Sequence, residues 1–244
     1  MPIDTDDIKS EMQVLRSDDA WQQTCMNFCA SSVGLFKAAA EVSAVDAAGE
    51  EAEQLVVMQV LGIRVLNAIG ATDELLLRGY FQPAAIMIRD IVECCFLLDL
   101  FSRKPDHLPK WIALGIEAGL KEYRPGQVRE LLNEIDGVER EVRGKIYTFY
   151  SRQGTHPNPA GIGLIAPSGA VEIGPFSDKD RLKGLTYDLT RFSVLAATHL
   201  SQWIIHVDLA EDAAYANLGH ACEEMKTVFL GLDAHLKLLK IEMA

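Results

Sequence analysis

Residues 147–159 combine the side-chain types most suited to chemistry in this chain. They form an aromatic, polar helix end that runs into a glycine, a histidine and two prolines. We expect the chain to turn at Gly154 and so to bring Ser151, Arg152 and His156 close together. A histidine there can titrate near neutral pH, and an arginine can stabilise a phosphate or a developing oxyanion. These three side chains are therefore candidate catalytic residues.

Two other interpretations of the same segment stay open. In one of them, His156 caps the end of the helix and hydrogen-bonds to a carbonyl, which is a common structural role. In the other, Tyr147, Tyr150 and His156 line a small-ligand pocket between a helical bundle and a hairpin. The two tyrosines are candidate binding residues under the second interpretation.

A second group of charged residues lies inside an otherwise apolar stretch. Arg89, Asp90 and Glu93 are three and four positions apart, so they share one side of a helix. Burial of such charges is costly unless they are paired, so they must face one another, a loop or a pocket. Arg89 and Glu93 are therefore either an internal ion pair that fixes the helix against its neighbours or candidate binding residues.

The helices that position these residues follow from the spacing of apolar side chains. Glutamates at positions 50, 51 and 53 supply the acidic first turn that a helix dipole favours, and apolar periodicity predicts a helix from there to about residue 78. Gly79 is a natural C-terminal stop, and Pro83 suits the first turn of a second helix, predicted at 82–102. Because the connection is so short, the two helices must be antiparallel neighbours or sharply angled.

Helical periodicity continues through the rest of the chain, with one exception. Residues 163–173 place Pro-Ser-Gly between two apolar runs, which could make a small hairpin. We therefore predict an all-α fold in a single domain, residues 1–244: a helical bundle with long antiparallel helices and a small β-hairpin insertion at 161–176. The remaining predicted helices are one or two between residues 4 and 45, then 109–122, 125–135, 138–152, 179–209 and 211–239.

The charge balance restricts the partners that this chain can have. It contains 23 Lys and Arg against 35 Asp and Glu, a net charge of -12. Counterion release from a nucleic-acid backbone therefore cannot be a general driving force, and RNA contact would need a local basic patch. Phosphate-loop, dinucleotide and nucleophile-elbow motifs are absent, and no Glu-x-x-His pair accompanies His199 and His206. We predict no cofactor and no metal.

The sequence also predicts a cytoplasmic location. The first ten residues contain three aspartates and no apolar run, unlike a secretory signal. Five cysteines occur without a Cys-x-x-Cys pair, which is typical of buried thiols in a reducing compartment. The apolar stretch at 86–101 is interrupted by four charged residues, so we interpret it as a core helix and predict no membrane contact.

A family resemblance joins the two candidate segments. The run from Leu76 to Glu93, followed by residues 147–159, resembles a poorly characterised family of bacterial helical proteins related to the HEPN superfamily. In that family an Arg-x-x-x-Glu helix precedes a Tyr/Ser element that ends in His-Pro. The resemblance covers roughly residues 55–160, about the size of a small domain.

The resemblance implies a fold, a partner and a possible activity. HEPN domains are helical bundles that often dimerise, and many are metal-independent ribonucleases that use an arginine followed closely by a histidine. Here the resemblance implies Arg152 and His156, with Ser151 and Tyr147 beside them. Only three residues separate Arg152 from His156, fewer than the family pattern has. HEPN-like proteins without catalytic activity are also known as a class.

Two functions follow, and the sequence leaves open whether the protein is an enzyme. The first is a non-enzymatic dimerisation or interaction module in a bacterial stress or defence system, in which Arg89, Glu93 and His156 form a buried structural network. The second is a metal-independent ribonuclease in which His156 is the general base and Arg152 stabilises the pentavalent phosphate. We expect a homodimer in either case, a protein partner in the first and RNA only in the second.

Overall fold

The computed structural model describes residues 5–43, 49–137, 141–155, 159–165, 175–212 and 215–238. These residues form helices and contain no strand, so the all-α prediction is confirmed. The α-helices are α1 (Asp6–Ser17), α2 (Ala20–Ala40), α3 (Glu50–Leu77), α4 (Phe81–Arg103), α5 (His107–Ala113), α6 (Gly115–Glu122), α7 (Pro125–Asp136), α8 (Glu141–Tyr150), α9 (Lys179–His206) and α10 (Ala216–Leu238).

The predicted β-hairpin is not seen. Pro159–Leu164 form a 3-10 turn, so the first residues of the predicted insertion, from Gly161 onward, are not in a strand. Closely spaced proline and glycine favour such a tight turn over a hydrogen-bonded ladder. Residues 166–174, which would supply most of the hairpin, lie outside the described residues.

Helices α4 and α9 form the centre of the bundle. They pack extensively against each other, and α9 also contacts α2, α3 and α10. Ile88, Ile91 and Leu98 of α4 are fully buried, so the prediction of a core helix at 86–101 is confirmed. One cluster of buried apolar side chains includes residues from every described α-helix except α6. The single-domain organisation stays a prediction.

The predicted connection between α3 and α4 is confirmed in detail. Gly79 has a φ of +74°, and it follows the last helical residue and the cap residue Arg78. The Gly79 nitrogen donates to the Leu76 oxygen and the Tyr80 nitrogen donates to the Leu75 oxygen, which is the Schellman arrangement. The two helices pack side by side, and Arg64, before this turn, is ion-paired with Asp90, after it.

Two predicted helix boundaries were wrong. The helix predicted at 109–122 is divided into α5 and α6, because Gly115 takes a φ of +65° and starts a new helix. The helix predicted at 211–239 begins only at Ala216, after Asp208 has taken a φ of 61° and Leu209–Glu211 have formed a 3-10 turn. In both cases a residue in the left-handed region ends the preceding helix.

The cysteines and one apolar helix bear on the environment of the protein. All five cysteines are free and buried, as predicted, and burial raises the pKa of the Cys25 thiol to about 12. Among the described helices, α3 alone is long and apolar enough to cross a membrane, with 44% of its most apolar window buried. A core helix of a soluble protein passes the same test, so this is weak evidence for a membrane span. The cytoplasmic location stays a prediction.

Candidate functional site

Helix α8 lies antiparallel along α4 and presents a row of polar side chains to the bundle. The row consists of Arg143, Tyr147 and Tyr150, four and three positions apart, which is the spacing of one helix face. As the chain advances along α8, its contacts move backwards along α4, from Asp99 at Arg143 to Arg89 at Tyr147. Each member of the row therefore meets a different charged side chain.

Three of the candidate binding residues meet at the middle of this row. The Arg89 Nη2 atom donates to the Tyr147 hydroxyl at 2.8 Å and lies 2.7 Å from the Glu93 Oε1 atom. The guanidinium of Arg129, on α7, stands 4.6 Å from the centre of the Tyr147 ring. Burial raises the pKa of Glu93, and the charge of Arg89 opposes that rise. The arrangement clamps α7 and α8 onto α4.

Tyr150 belongs to a separate, deeper pair. Its side chain is 1% exposed, and its hydroxyl donates to the carboxylate of Asp188 on α9. Burial, followed by the neighbouring Asp188 charge, raises the pKa of Tyr150 well above its usual range, and burial also raises the pKa of Asp188. Tyr150 is thus enclosed, whereas the pocket that the sequence suggested also involves His156, which lies outside the described residues. That pocket stays a prediction.

The candidate catalytic segment begins with a single π-helical turn, Ser151–Thr155. Ser151 is 9% exposed, whereas Arg152 is exposed to solvent. Gly154 lies against α4, where a Cβ atom would stand 3.2 Å from both the backbone nitrogen and the Cγ1 atom of Ile86. Glycine therefore permits the close approach of this turn to α4.

The proposed partnership of Arg152 with a histidine stays a prediction. His156 lies outside the described residues. The described contacts bring Arg89, Glu93 and Tyr147 together, and they place Tyr150 with Asp188. The candidate residues therefore occupy at least two distinct places along α8.

A buried ion network at the start of α8 was missed by the sequence analysis. Asp99 lies 2.7 Å from Arg103 and 3.3 Å from Arg143, and Asp136 lies 2.6 Å from each of the same two arginines. The two carboxylates and the two guanidinium groups thus alternate in a closed ring, and their four charges add up to zero. The one available signal was the four-residue spacing of Asp99 and Arg103 inside an apolar helix.

His199 of α9 lies next to Asp99 of this network. Its Nδ1 atom lies 3.7 Å from Asp99 and 3.2 Å from the Gln202 side-chain oxygen. Burial lowers the pKa of His199, which favours the neutral form of the ring, and the charge of Asp99 opposes this shift. Among the described residues, no group of three or more His, Cys, Asp or Glu could hold a metal ion. His199 serves here as a packed polar neighbour of Asp99.

Comparison with known proteins identifies no relative of this chain. No family model, curated protein or solved structure matches this chain. The resemblance to HEPN-related proteins therefore stays a prediction, and the functional argument depends on the geometry of the chain itself.

The Arg89 cluster makes a first prediction. Replacing Arg89 with alanine should lower the free energy of unfolding by about 1–2 kcal/mol, because Glu93 and the Tyr147 hydroxyl each lose a charged partner at a site that retains some solvent. Urea unfolding measures the loss. Tyr147→Phe is the matched control, since it removes one hydrogen bond and leaves the ion pair, and it should cost less. An unchanged unfolding midpoint in Arg89→Ala would contradict a structural role for the cluster.

Proposed function

We propose that this chain is a non-enzymatic helical module that forms a homodimer through the outer face of α3. Three valine and isoleucine side chains on that face are exposed: Val56 by 44%, Val60 by 57% and Ile63 by 38%. They are four and three positions apart, so they form one continuous apolar row. This row is the observation that carries the proposal.

The composition of the rest of α3 supports the idea that a second copy of the chain covers this apolar row. The most apolar window of the helix has a mean hydropathy of 1.6, yet less than half of it is buried within one molecule. A soluble chain that keeps such a helix gains by covering it, because burial of apolar surface is the main favourable term in association. A two-fold dimer covers the same row on both molecules with one contact.

Charge favours an antiparallel arrangement of the two α3 helices. A parallel pair would set the acidic first turn of one copy, Glu50, Glu51 and Glu53, against the same three charges of the other. An antiparallel pair centred on Val60 would instead place each acidic turn beside the exposed Asn67 and Gly70 of its partner. These two residues are uncharged, and the glycine permits close approach of the helices.

The pairing of the candidate residues supports a non-enzymatic role. Arg89, Glu93 and Tyr147 contact one another, and Tyr150 is bonded to Asp188, so these polar groups are engaged in holding helices together. Polar groups that are paired in this way stabilise the packing of the helices, which is what a helical interaction module requires. The resemblance stated above would place such a module in a bacterial stress or defence system.

The test compares two valines that are equally exposed. Val60 on α3 is 57% exposed and Val14 on α1 is 56% exposed, so arginine at either position should leave the fold intact. Sedimentation equilibrium over a range of concentrations should give a dimer for the wild type and for Val14→Arg, and a monomer for Val60→Arg. A monomeric wild type, or a Val60→Arg variant that still dimerises, would contradict the proposal.

The second candidate function is a metal-independent ribonuclease that uses Arg152, His156 and Ser151. One observation favours it: Arg152 is exposed on a π-helical turn, and such turns are frequent at functional sites. Cellular RNA should be cleaved by the wild type in the presence of a chelator, and cleavage should be lost in Arg152→Ala and in His156→Ala. Lys179→Ala removes an exposed cation outside this segment and serves as the control. Absence of cleavage by the wild type removes this candidate.

A further inference from the structure

A cavity of about 760 Å³ lies between α3, α4, the short helices α5 and α6, and the start of α7. Its volume falls within the range of small-molecule sites, which is about 300–1,000 Å³. The cavity uses the strip of α3 that neighbours the row proposed for the dimer, namely Val57, Leu61 and Arg64. A ligand in this place would add a function that dimerisation does not supply.

The walls of the cavity are mainly apolar. Phe96 and Leu97 come from α4, Trp111 and Ile112 from α5, and Leu120 from α6. Leu120 is 72% exposed, which is unusual for a large aliphatic side chain beside an apolar cavity. An apolar body inside the cavity would cover it. The walls therefore suit an alkyl chain or another extended apolar group.

Most of the polar groups that reach the cavity already have partners. The Arg64 guanidinium holds both carboxylate oxygens of Asp90, with its Nε atom at 3.0 and 3.1 Å. Glu93 is paired with Arg89, as described above. The Tyr123 hydroxyl lies 3.0 Å from the His107 Nδ1 atom. None of these groups requires a ligand to satisfy it.

Arg124 differs from these groups. It lines the cavity and its side chain is exposed, and the described residues offer its guanidinium no hydrogen bond or ion pair. It also stands at the N-terminal cap position of α7, and no side chain caps that helix end, so the helix dipole adds positive potential there. The paired charges around the cavity cancel, which leaves Arg124 as the cation that an incoming group would meet.

We propose that this cavity binds an amphipathic monoanion, a long-chain carboxylate, with its apolar chain among Phe96, Trp111 and Leu120 and its carboxylate on Arg124. Guanidinium and carboxylate match in charge and in geometry, so the headgroup is held by charge-assisted hydrogen bonds. The apolar chain supplies most of the affinity by leaving water.

A substitution in the outer wall of the cavity can fill the cavity without disturbing the fold. Gly119 of α6 lines the cavity, and a Cβ atom there would have only the Trp111 Nε1 atom nearby, at 3.9 Å. A leucine at this position would extend into the space that the ligand needs. Because leucine is a much better helix former than glycine, Gly119→Leu should fold at least as stably as the wild type. Gly184→Leu, at an exposed glycine of α9 with nothing within 4 Å, is the matched control.

The experiment titrates dodecanoate, below its micelle concentration, into the full chain and follows tryptophan emission, to which Trp111 contributes, together with the heat of binding. The wild type and Gly184→Leu should bind with equal affinity, and Gly119→Leu should not bind. Arg124→Gln should weaken dodecanoate by about tenfold or more, while dodecanol, which lacks the charge, should bind both proteins alike.

Each other outcome overturns the proposal or part of it. No binding by the wild type, or unchanged binding by Gly119→Leu, would show that this cavity is not the site. Loss of binding in Gly119→Leu with full affinity in Arg124→Gln would show that the cavity holds the apolar chain but that Arg124 does not hold the carboxylate, so that the headgroup assignment is wrong. Sedimentation of the same samples reports the dimer separately, so that failure of one proposal is distinguishable from failure of the other.

Discussion

Replacing Asp99 with alanine should lower the free energy of unfolding by about 3–5 kcal/mol, as expected when one partner of a buried ion pair is removed. The Asp99 side chain is 7% exposed and that of Arg143 is 9% exposed, so water cannot replace the lost carboxylate. Asp136 alone would then face two guanidinium groups, and the three remaining charges would add up to a net positive charge. Urea unfolding at neutral pH measures the loss.

An exposed ion pair provides the matched control for Asp99. Glu223 and Lys226 on α10 lie 2.5 Å apart, but their side chains are 70% and 55% exposed. Glu223→Ala should therefore leave the unfolding midpoint almost unchanged, since exposed pairs contribute little. If Asp99→Ala were as mild as Glu223→Ala, water would have to reach the network, and the role assigned to it in holding α8 would be wrong.

The network matters for the candidate site because it fixes the helix that carries the site. Arg143 belongs to the same face of α8 as Tyr147 and Tyr150. A carboxylate of α4 and one of α7 hold the first turn of α8 through Arg143. The register of α8 along α4 then determines that Tyr147 meets Arg89. We therefore expect Asp99→Ala also to loosen the Arg89 cluster, although the two sites share no direct contact in the described residues.

Local signals in the sequence were sufficient for the long helices. The acidic first turn at 50–53 and the glycine at 79 predicted the ends of α3 to within one residue, because both act on the helix that contains them. Asp178 likewise caps the start of α9, and its side chain accepts a hydrogen bond from the Arg181 nitrogen. Such signals involve neighbours within four residues, which a sequence displays directly.

Contacts between distant residues were not accessible in the same way. Asp99 and Arg143 are 44 positions apart, and His199 comes from a third helix. Nothing in their immediate surroundings marks them as partners, because an arginine on a polar helix face is more often solvated. The cavity beside α6 was missed for a related reason. It exists because Gly115 divides one predicted helix into two, and the division changes where Trp111 and Leu120 lie.

Replacing Gly79 with alanine should lower the free energy of unfolding by about 2–5 kcal/mol, from two independent causes. The first is the φ of +74°, which costs an L-residue about 1–2 kcal/mol. The second is crowding. An added Cβ atom would overlap the carbonyl oxygen of Phe176 and lie 2.8 Å from its nitrogen, and such overpacking costs about 1–3 kcal/mol. Urea unfolding again measures the loss.

Gly137→Ala separates the two causes. Gly137 ends α7 with a φ of +67°, but a Cβ atom there would have nothing within 4 Å. Gly137→Ala should therefore show only the free-energy cost of the positive φ. The difference in unfolding free energy between the two variants then reports how firmly the backbone at Phe176 is held against the α3–α4 turn. Phe176 is 7% exposed, and its ring centre lies 5.3 Å from that of Phe81, so we expect it to resist displacement. Equal losses in the two variants would mean that the chain entering α9 yields easily, and that the α3–α4 turn is positioned by its own helices without support from Phe176.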